Sequence, residues 1–231
     1  MPYITAMKGY LLDFLVVVAG ISLSFLVEEW RVRQELAEHR EQMIQRLAKT
    51  LDDDITDINF NIKVHTKAYE SCTFITEYLN GEHPNVSMDS LSYHLSAITM
   101  NTVFVPNEEE YETLKNSGQL ELVSDPELVY DIHVKYARHA FASTMESWIA
   151  RTIENEIRPS WAGYTTSIAD TGMRYRHTIG AFPRYTFTKV PPIEAHALTD
   201  LTNGHRFYLG VCESMLKRTT ELRDKIRSRK A

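Results

Sequence analysis

One apolar stretch near the amino terminus constrains this chain more than any other feature. Residues 9–27 contain a single side chain that is charged at neutral pH, Asp13, and end at a run of charged residues. A helix needs about 20 consecutive apolar residues to cross the hydrocarbon core of a membrane. The stretch therefore predicts an N-terminal transmembrane anchor over residues 1–30. Trp30 would lie at the level of the lipid headgroups, where aromatic side chains are preferred.

Two other interpretations of this stretch fit the sequence less well. A cleaved signal peptide has a shorter apolar region followed by small residues, whereas this run continues to Val27 and then meets charge. A buried helix of a water-soluble core would accommodate Ser22, Ser24 and Asp13, but the length and terminal position of the run disfavour it. We therefore expect a retained single-pass anchor.

Small and polar residues of the anchor share one side of the predicted helix. At about 100° per residue, three positions lie within about 40° of Asp13; they are Val17, Gly20 and Ser24. Gly20 and Ser24 form the small-xxx-small pattern that lets membrane helices approach closely. An acid inside lipid is costly unless it meets protein or water. We predict that this stripe contacts a second copy of the chain, with coincidence and an ion pathway as the alternatives.

The rest of the chain has the length and composition of one folded domain. It has 231 residues in total, of which 43% are hydrophobic and 24% are charged, so residues 31–231 are long enough to bury a core. The net charge of −6 argues against a general nucleic-acid-binding protein. Only two cysteines occur, Cys72 and Cys212, which excludes a disulfide framework and a CxxC site.

Apolar periodicity predicts that this domain is helical. No glycine or proline occurs from Ile21 to Asn80, and apolar residues between Ile44 and Ile62 recur about every 3.6 positions, as in an amphipathic helix. The predicted fold class is therefore all-α, with the transmembrane helix continuous with the first helix of a bundle of long helices.

Start and stop signals divide the remaining chain. They predict helices over residues 88–99, 107–116, 126–158 and 199–231. Ser87 or Asp89, Asn107 and Asp125 are the expected caps. Residues 101–106 are rich in β-formers and end in proline, so they are expected to form an extended connector or an isolated strand.

The last helix is expected to run antiparallel to the first helix of the bundle. Cys212 would then lie beside residues 50–59 and away from Cys72, so we expect no disulfide. The strongly basic end of this helix would return to the membrane surface, where each Lys or Arg contributes up to about 1 kcal/mol to binding of anionic lipid.

Residues 159–192 differ in composition from the rest, because they are rich in aromatic residues, glycine and proline. A connection this long is usually functional or disordered, and its aromatic content disfavours disorder. We predict an irregular aromatic-rich segment. It either fills one end of the bundle or offers a surface for an anionic ligand, formed by Arg174, Arg176, His177 and Arg184.

Conventional catalytic motifs are missing. There is no GxxxxGK[ST], GxGxxG, GxSxG or HExxH pattern. His133 and His139 are six residues apart and so face different sides of a helix. The acidic run of residues 52–54 with Asp57 is expected to be a solvated face and not a cation site. We predict no catalysis, no metal and no cofactor.

Two segments resemble an uncharacterised family of small bacterial inner-membrane proteins, a family of unknown function. DFLVVVAGISLSFLVEEW is similar to the family's GE-x-x-LV-x-x-G-I…W helix, with Asp13 in place of the glutamate. NEEEYETLKNSGQLELV is similar to its Y-x-x-L-x-x-SG-x-L signature through Tyr111, Ser117 and Gly118. The resemblance implies an inner-membrane location, a periplasmic domain and a structural turn at this signature; it implies no activity. The distribution of basic residues alone favours a cytoplasmic domain.

Together these features predict a membrane-anchored, homo-oligomeric helical scaffold or accessory subunit of the bacterial envelope. Its expected partners are membrane lipid, a second copy of the chain and another membrane protein, but not nucleic acid. An oligomeric channel or ion-responsive protein with Asp13 near the axis is one alternative. A ligand sensor that uses residues 159–192 is the other.

Overall fold

A computed structural model describes the backbone of residues 2–170, 174–175, 178–181 and 183–229, and the side chains of residues 14–166 and 184–229. The chain forms two compact units, Met1–Gln45 and Arg46–Ala231. In chain order the described helices are α1 (Pro2–Leu79), α2 (Met88–Ala97), α3 (Glu109–Asn116), α4 (Pro126–Ala137), α5 (His139–Thr152) and α6 (Ala195–Ser228). The strands are β1 (Asn101–Val103), β2 (Thr165–Asp170), β3 (Arg174–Tyr175), β4 (Thr178–Ala181) and β5 (Pro183–Phe187).

The prediction of a mainly helical fold is confirmed. Helix α1 is uninterrupted, in keeping with the long stretch that lacks proline and glycine. Among the residues that the structure describes, no helix combines the length and the apolar character needed to cross a membrane.

The core of the second unit forms where α1, α2, α5 and α6 pack together. On α1, residues spaced by about one turn are fully buried, among them Leu47, Leu51 and Ile58. Contacts between α1 and α6 show their direction, since His65 meets His205 and Asp52 meets Arg223. The predicted antiparallel arrangement of these helices is therefore confirmed. Cys72 and Cys212 are buried and their thiols are free.

The long helix predicted over residues 126–158 is wrong, because it is broken at Arg138. The amide of Phe141 bonds the carbonyl of Arg138, 3.1 Å away and only three residues earlier, so a tight turn separates α4 from α5. Beyond α5 the chain continues through a π-helical turn, Ile153–Ile157, and a 3₁₀ turn, Arg158–Trp161. Pro159 therefore lies inside the last turn and does not end the helix.

The prediction of an irregular segment over residues 159–192 is also wrong, because this region carries four of the described strands. β2 pairs antiparallel with β5, and β4 pairs antiparallel with both β1 and β3. Residues 101–103 are thus a paired strand and not an isolated one. The strands form because β5 alternates side chains: Tyr185 and Phe187 both pack against Trp161, with ring centroids 4.8 and 5.1 Å from it.

Helix α2 closes the edge of β5 through two serine hydroxyls. The amide of Tyr185 donates to Ser96 Oγ at 2.9 Å, and the amide of Phe187 donates to Ser92 Oγ at 3.0 Å. These bonds satisfy strand amides that would otherwise be buried without a partner.

Two of the predicted helix caps are confirmed and one is wrong. Ser87 accepts from the amide of Ser90, and Asp125 accepts from the amide of Leu128 at 3.0 Å. Glu108, not Asn107, occupies the cap position of α3 and makes no side-chain cap bond. Asn107 instead bonds Asp54 of α1 through both its backbone amide and its side chain.

Candidate functional site

In the first unit, the described part of α1 begins with an exposed apolar segment, residues 14–27. Phe14 is 64% exposed and Phe25 is 72% exposed. Because successive residues of a helix are rotated by about 100°, the consecutive exposed residues from 14 to 18 cover every side of the helix. This segment is apolar all around, unlike an amphipathic helix of a soluble domain.

The predicted interface residues in this segment are accessible. Val17, Gly20 and Ser24 are all exposed, and no atom lies within 4 Å of where a Cβ on Gly20 would be. Ser24 Oγ donates to the Gly20 carbonyl at 2.9 Å, so its hydroxyl is satisfied within the helix. The side chain of Asp13 lies outside the described residues.

Charged residues begin where the apolar segment ends. Trp30 is 64% exposed. Arg31 Nη2 lies 2.6 Å from Glu28 Oε1, and its Nη1 lies 3.3 Å from Glu35 Oε1. These pairs join side chains one turn apart on an exposed helix, so each contributes little to stability. They mark a sharp boundary between apolar and charged surface.

The second unit contains a chain of hydrogen-bonded polar side chains, which we call the polar network. Its members are Asn61 and His65 of α1, Thr102 of β1, Glu146 of α5, and His205 and Tyr208 of α6; all are at least 97% buried. The network links four elements that are far apart in sequence.

The contacts between side chains of the polar network range from 2.6 to 3.2 Å. Tyr208 Oη donates to Glu146 Oε1 at 2.6 Å and lies 3.2 Å from Asn61 Oδ1. Thr102 Oγ1 donates to Asn61 Oδ1 at 2.6 Å and lies 3.1 Å from His65 Nε2. Nδ1 of His65 lies 3.0 Å from Nδ1 of His205, so one ring donates and the other accepts. Glu146 Oε1 also accepts from the amide of Phe104 at 3.0 Å.

Burial sets the protonation of this network. It lowers the pKa of His65 well below the usual value, and the neighbouring His205 lowers it further. Burial also lowers the pKa of His205 to about 4, and the Ile98 carbonyl offsets only part of that effect. The pKa of Glu146 is raised by burial, which outweighs its bonds from Tyr208 and Phe104. Both imidazoles are therefore neutral at pH 7.

The polar network acts as a structural element. Buried polar groups that are mutually bonded fix the relative positions of the elements that carry them. None of the six side chains lines any of the three cavities of described residues that adjoin α6.

A second buried polar group overturns the expectation of a solvated acidic face on α1. Asp54 is fully buried, and its Oδ2 lies 2.5 Å from Lys135 Nζ of α4. Asn107 donates to Asp54 Oδ1 from its amide at 3.0 Å and from its side chain at 2.7 Å. Asp57 is also fully buried. Asp54 points inward because it lies about one turn from Leu51 and Ile58, on the buried side of the helix.

The signature residues of the predicted turn lie next to this group. The ring of Tyr111 stacks on that of Tyr136 with centroids 4.0 Å apart, and Tyr136 Oη donates to the Asn107 carbonyl at 3.0 Å. Ser117 Oγ donates to the Thr113 carbonyl at 2.7 Å. Gly118 has φ +68°, the left-handed conformation that glycine adopts without strain after a helix.

The predicted anion surface is described only in part. Arg184 is exposed on β5. The side chain of Arg174 lies outside the described residues, as do Arg176 and His177 entirely. Whether these four residues form one surface therefore stays a prediction.

The basic end of α6 is paired inside the second unit. Arg223 Nη1 lies 3.2 Å from Asp52 Oδ1, and Arg227 also pairs with Asp52. Lys225 Nζ lies 2.9 Å from Asp131 Oδ2. These basic side chains thus bind acids of α1 and α4, which leaves less of their charge for lipid than the sequence suggested.

Among the described side chains, no group of three or more His, Cys, Asp or Glu residues could hold a metal ion.

Comparison of the chain with protein-family models, with curated proteins and with solved structures found no match.

Proposed function

We propose that this protein is a membrane-anchored, non-catalytic helical protein that assembles with copies of itself. The exposed apolar segment of α1 carries the proposal. A helix that is apolar on all sides is stable when it lies in a protein core or in lipid, and the described residues of the chain do not cover this one. The apolar run starts at residue 9 in the sequence, five positions before the first described side chain.

The residues that follow the apolar segment also support its insertion in a membrane. Trp30 and the ion pairs of Arg31 follow directly after the apolar residues, as expected where a helix leaves the hydrocarbon core. The similarity of residues 13–30 to the membrane helix of a bacterial inner-membrane family agrees with this. The protein would then tether its second unit to the membrane, where it serves as a scaffold or accessory subunit for another envelope protein.

The absence of catalysis is part of the proposal. The acid and base side chains of the polar network are buried and bonded to one another, and burial keeps both histidines neutral. None of these side chains lines the cavities of described residues next to α6, so none of them would contact a substrate bound in those cavities. A rigid core suits a domain that presents a surface to a partner.

Membrane insertion is tested by placing charge in the apolar segment. On the insertion scale each apolar residue contributes about −0.3 to −0.6 kcal/mol, and each central arginine costs about 2.5 to 3.5 kcal/mol. Two arginines, Val16→Arg with Val18→Arg, should therefore abolish insertion. The measurement is flotation of the full chain with phospholipid vesicles after alkaline extraction.

The matched control is Val32→Arg with Leu36→Arg. These two side chains are also apolar and exposed on α1, but they lie beyond Trp30. The control should float with the vesicles like the unmodified chain. Flotation of the doubly charged Val16 and Val18 variant to the same extent would refute insertion of this segment.

Assembly is tested at Gly20. A side chain there meets no atom of its own chain, so Gly20→Leu fits the single helix but would hold two closely packed helices apart. Ser22→Leu, on the opposite side of the helix, is the control. We expect Gly20→Leu to convert oligomers in lipid nanodiscs to monomers, as measured by mass photometry, while Ser22→Leu leaves them intact.

Asp13→Asn separates the scaffold from a channel. The scaffold proposal expects this variant to weaken assembly, whereas a channel with Asp13 near its axis would keep its oligomeric state and change its ion conductance. Equal oligomer populations for the Gly20, Ser22 and Asp13 variants would rule out the proposed interface.

A further inference from the structure

An open groove lies between α5 and α6 on the second unit, with a volume of about 380 Å³. Its floor is apolar, formed by Phe141, Phe207, Val211 and Met215, and Arg138 and Arg206 stand beside it. Its volume falls within the range of about 300 to 1,000 Å³ that is usual for small-molecule sites. The groove is therefore large enough for a ligand.

The groove is elongated along α6. Phe207, Val211 and Met215 are spaced by four residues and so lie on one face of the helix over roughly 12 Å. On the other side, the tight turn at Arg138 presents Phe141. The groove thus suits a narrow, extended apolar molecule.

The two phenylalanines are unusually accessible for large apolar side chains. Phe141 is 50% exposed and Phe207 is 56% exposed, and their ring centroids lie 6.3 Å apart. The two rings therefore give the groove an apolar surface that is open to solvent. Covering the two rings would remove apolar surface from water, which favours an apolar occupant.

The charge around the groove is positive. No acid lines it among the described residues. Arg138 and Arg206 form no ion pair with any described side chain, and Arg206 Nη2 bonds only the neutral Asn203 Oδ1, at 3.2 Å. A neighbouring cavity shares Arg138 and Met215 with the groove and adds Arg218, again without an acid among its described lining residues. In a chain with a net charge of −6, guanidinium groups beside a groove that has no acid among its described lining residues favour an anion.

We propose that this groove binds a medium-chain fatty acid, with the acyl chain along α6 and the carboxylate at Arg138 and Arg206. The apolar floor accounts for the chain, and guanidinium groups bind carboxylates with paired hydrogen bonds. Met215 adapts its shape to an apolar ligand because its side chain is flexible.

Gly210 provides a specific way to block the groove. It lies in the groove wall on α6, and no atom lies within 4 Å of the position of an added Cβ. Gly210→Leu should therefore fill the groove without disturbing the core. Because leucine favours helix more than glycine does, the variant should melt no lower than the unmodified chain.

The test uses a 12-carbon fatty acid with a diazirine near its methyl end, together with the matching alcohol. The full chain in lipid nanodiscs is irradiated with each probe, and the labelled peptides are identified by mass spectrometry. The acid should label the peptides that contain Phe141 and residues 206–215 at least tenfold more than the alcohol does. Unlabelled dodecanoate should compete with it.

Variants make the assignment specific. Gly210→Leu should reduce groove labelling by at least tenfold, and so should Arg138→Gln with Arg206→Gln, whose exposed side chains make loss of folding a minor concern. Arg151→Gln, an exposed arginine of α5 outside the groove, should leave labelling unchanged. Equal labelling by the acid and the alcohol, or labelling that none of these variants changes, would overturn the proposal.

The same experiment separates this inference from the proposed membrane anchor. Labelling of residues 14–27 reports contact of α1 with the bilayer, where both probes partition. Groove labelling without labelling of α1 would support the fatty-acid site and contradict the anchor. Labelling of α1 without labelling of the groove would support the anchor and contradict the fatty-acid site.

Discussion

His65 and His205 meet inside the second unit with their Nδ1 atoms 3.0 Å apart, and both rings are fully buried. Burial lowers the pKa of both, to about 4 for His205. In the unfolded chain each has the ordinary histidine pKa, about 6.5. Below that pH the histidines bind protons in the unfolded chain but not in the folded chain, so acid favours unfolding.

We therefore expect the free energy of unfolding to fall as the pH drops from about 6.5 towards 4. Each histidine contributes a slope of up to about 1.4 kcal/mol per pH unit in this window. Above the window both histidines are neutral in both states and contribute no pH dependence. Glu146 has the opposite sign, since its raised pKa makes the folded chain the better proton binder above about 4.5. Urea titrations at several pH values measure the combined effect of the two histidines and Glu146 on the free energy of unfolding.

The variant His205→Asn isolates the histidine contribution. It should reduce the dependence of the unfolding free energy on pH by up to about 1.4 kcal/mol per pH unit, which corresponds to one proton. His196→Gln is the control, because His196 lies on the same helix with its side chain 70% exposed. An unchanged slope in His205→Asn, or an equal change in His196→Gln, would show that the acid sensitivity arises elsewhere.

At the residue scale, the sequence indicated the buried side of α1 but not its chemistry. Asp54, Asn61 and His65 lie at helical spacing with Leu51 and are fully buried, whereas the acidic run of residues 52–54 suggested a solvated face. Their partners were not readable, since Lys135, Thr102 and His205 come from elements far along the chain. No local spacing rule links residues 140 positions apart.

At the scale of elements, predictions succeeded where the signal was local. The start of α2 at Ser87 and of α4 at Pro126 followed from caps that act within one turn. The break at Arg138 had no such signal, since no glycine or proline lies there. At this break the Arg138 carbonyl accepts from the amides of both Phe141 and Ala142, and the break places Arg138 and Phe141 at the groove.

The strands of residues 165–187 show a different difficulty. β5 carries an alternating pattern, with Tyr185 and Phe187 on one side, but it is only five residues long. Glycines and prolines around it suggested irregular structure. Its identity as a strand depends on pairing with β2 and on the serines of α2, which are contacts between distant segments. The aromatic content signalled an ordered segment but not its form.

For the whole second unit, the two thiols report on global opening. Burial raises the pKa of both Cys72 and Cys212 to about 12, and the thiolate is the reactive form. In the native protein both should react with a thiol reagent at pH 8 about a thousandfold or more slowly than an exposed cysteine, because they react only from opened molecules.

The exposed reference is Ser143→Cys on the surface of α5. Both native thiols should also react at the same rate as each other, since they belong to one core cluster. A Cys72 that reacts much faster than Cys212 would show that the end of α1 opens separately from the rest of the core.

The pairing of α1 with α6 has a consequence during protein synthesis. His65 and Asn61 are synthesised about 140 residues before their partners, His205 and Tyr208. At about 5 to 20 residues per second, the ribosome takes roughly 7 to 30 seconds to make that intervening length. Throughout this interval the face of α1 that α6 covers in the folded protein has no α6 to pack against.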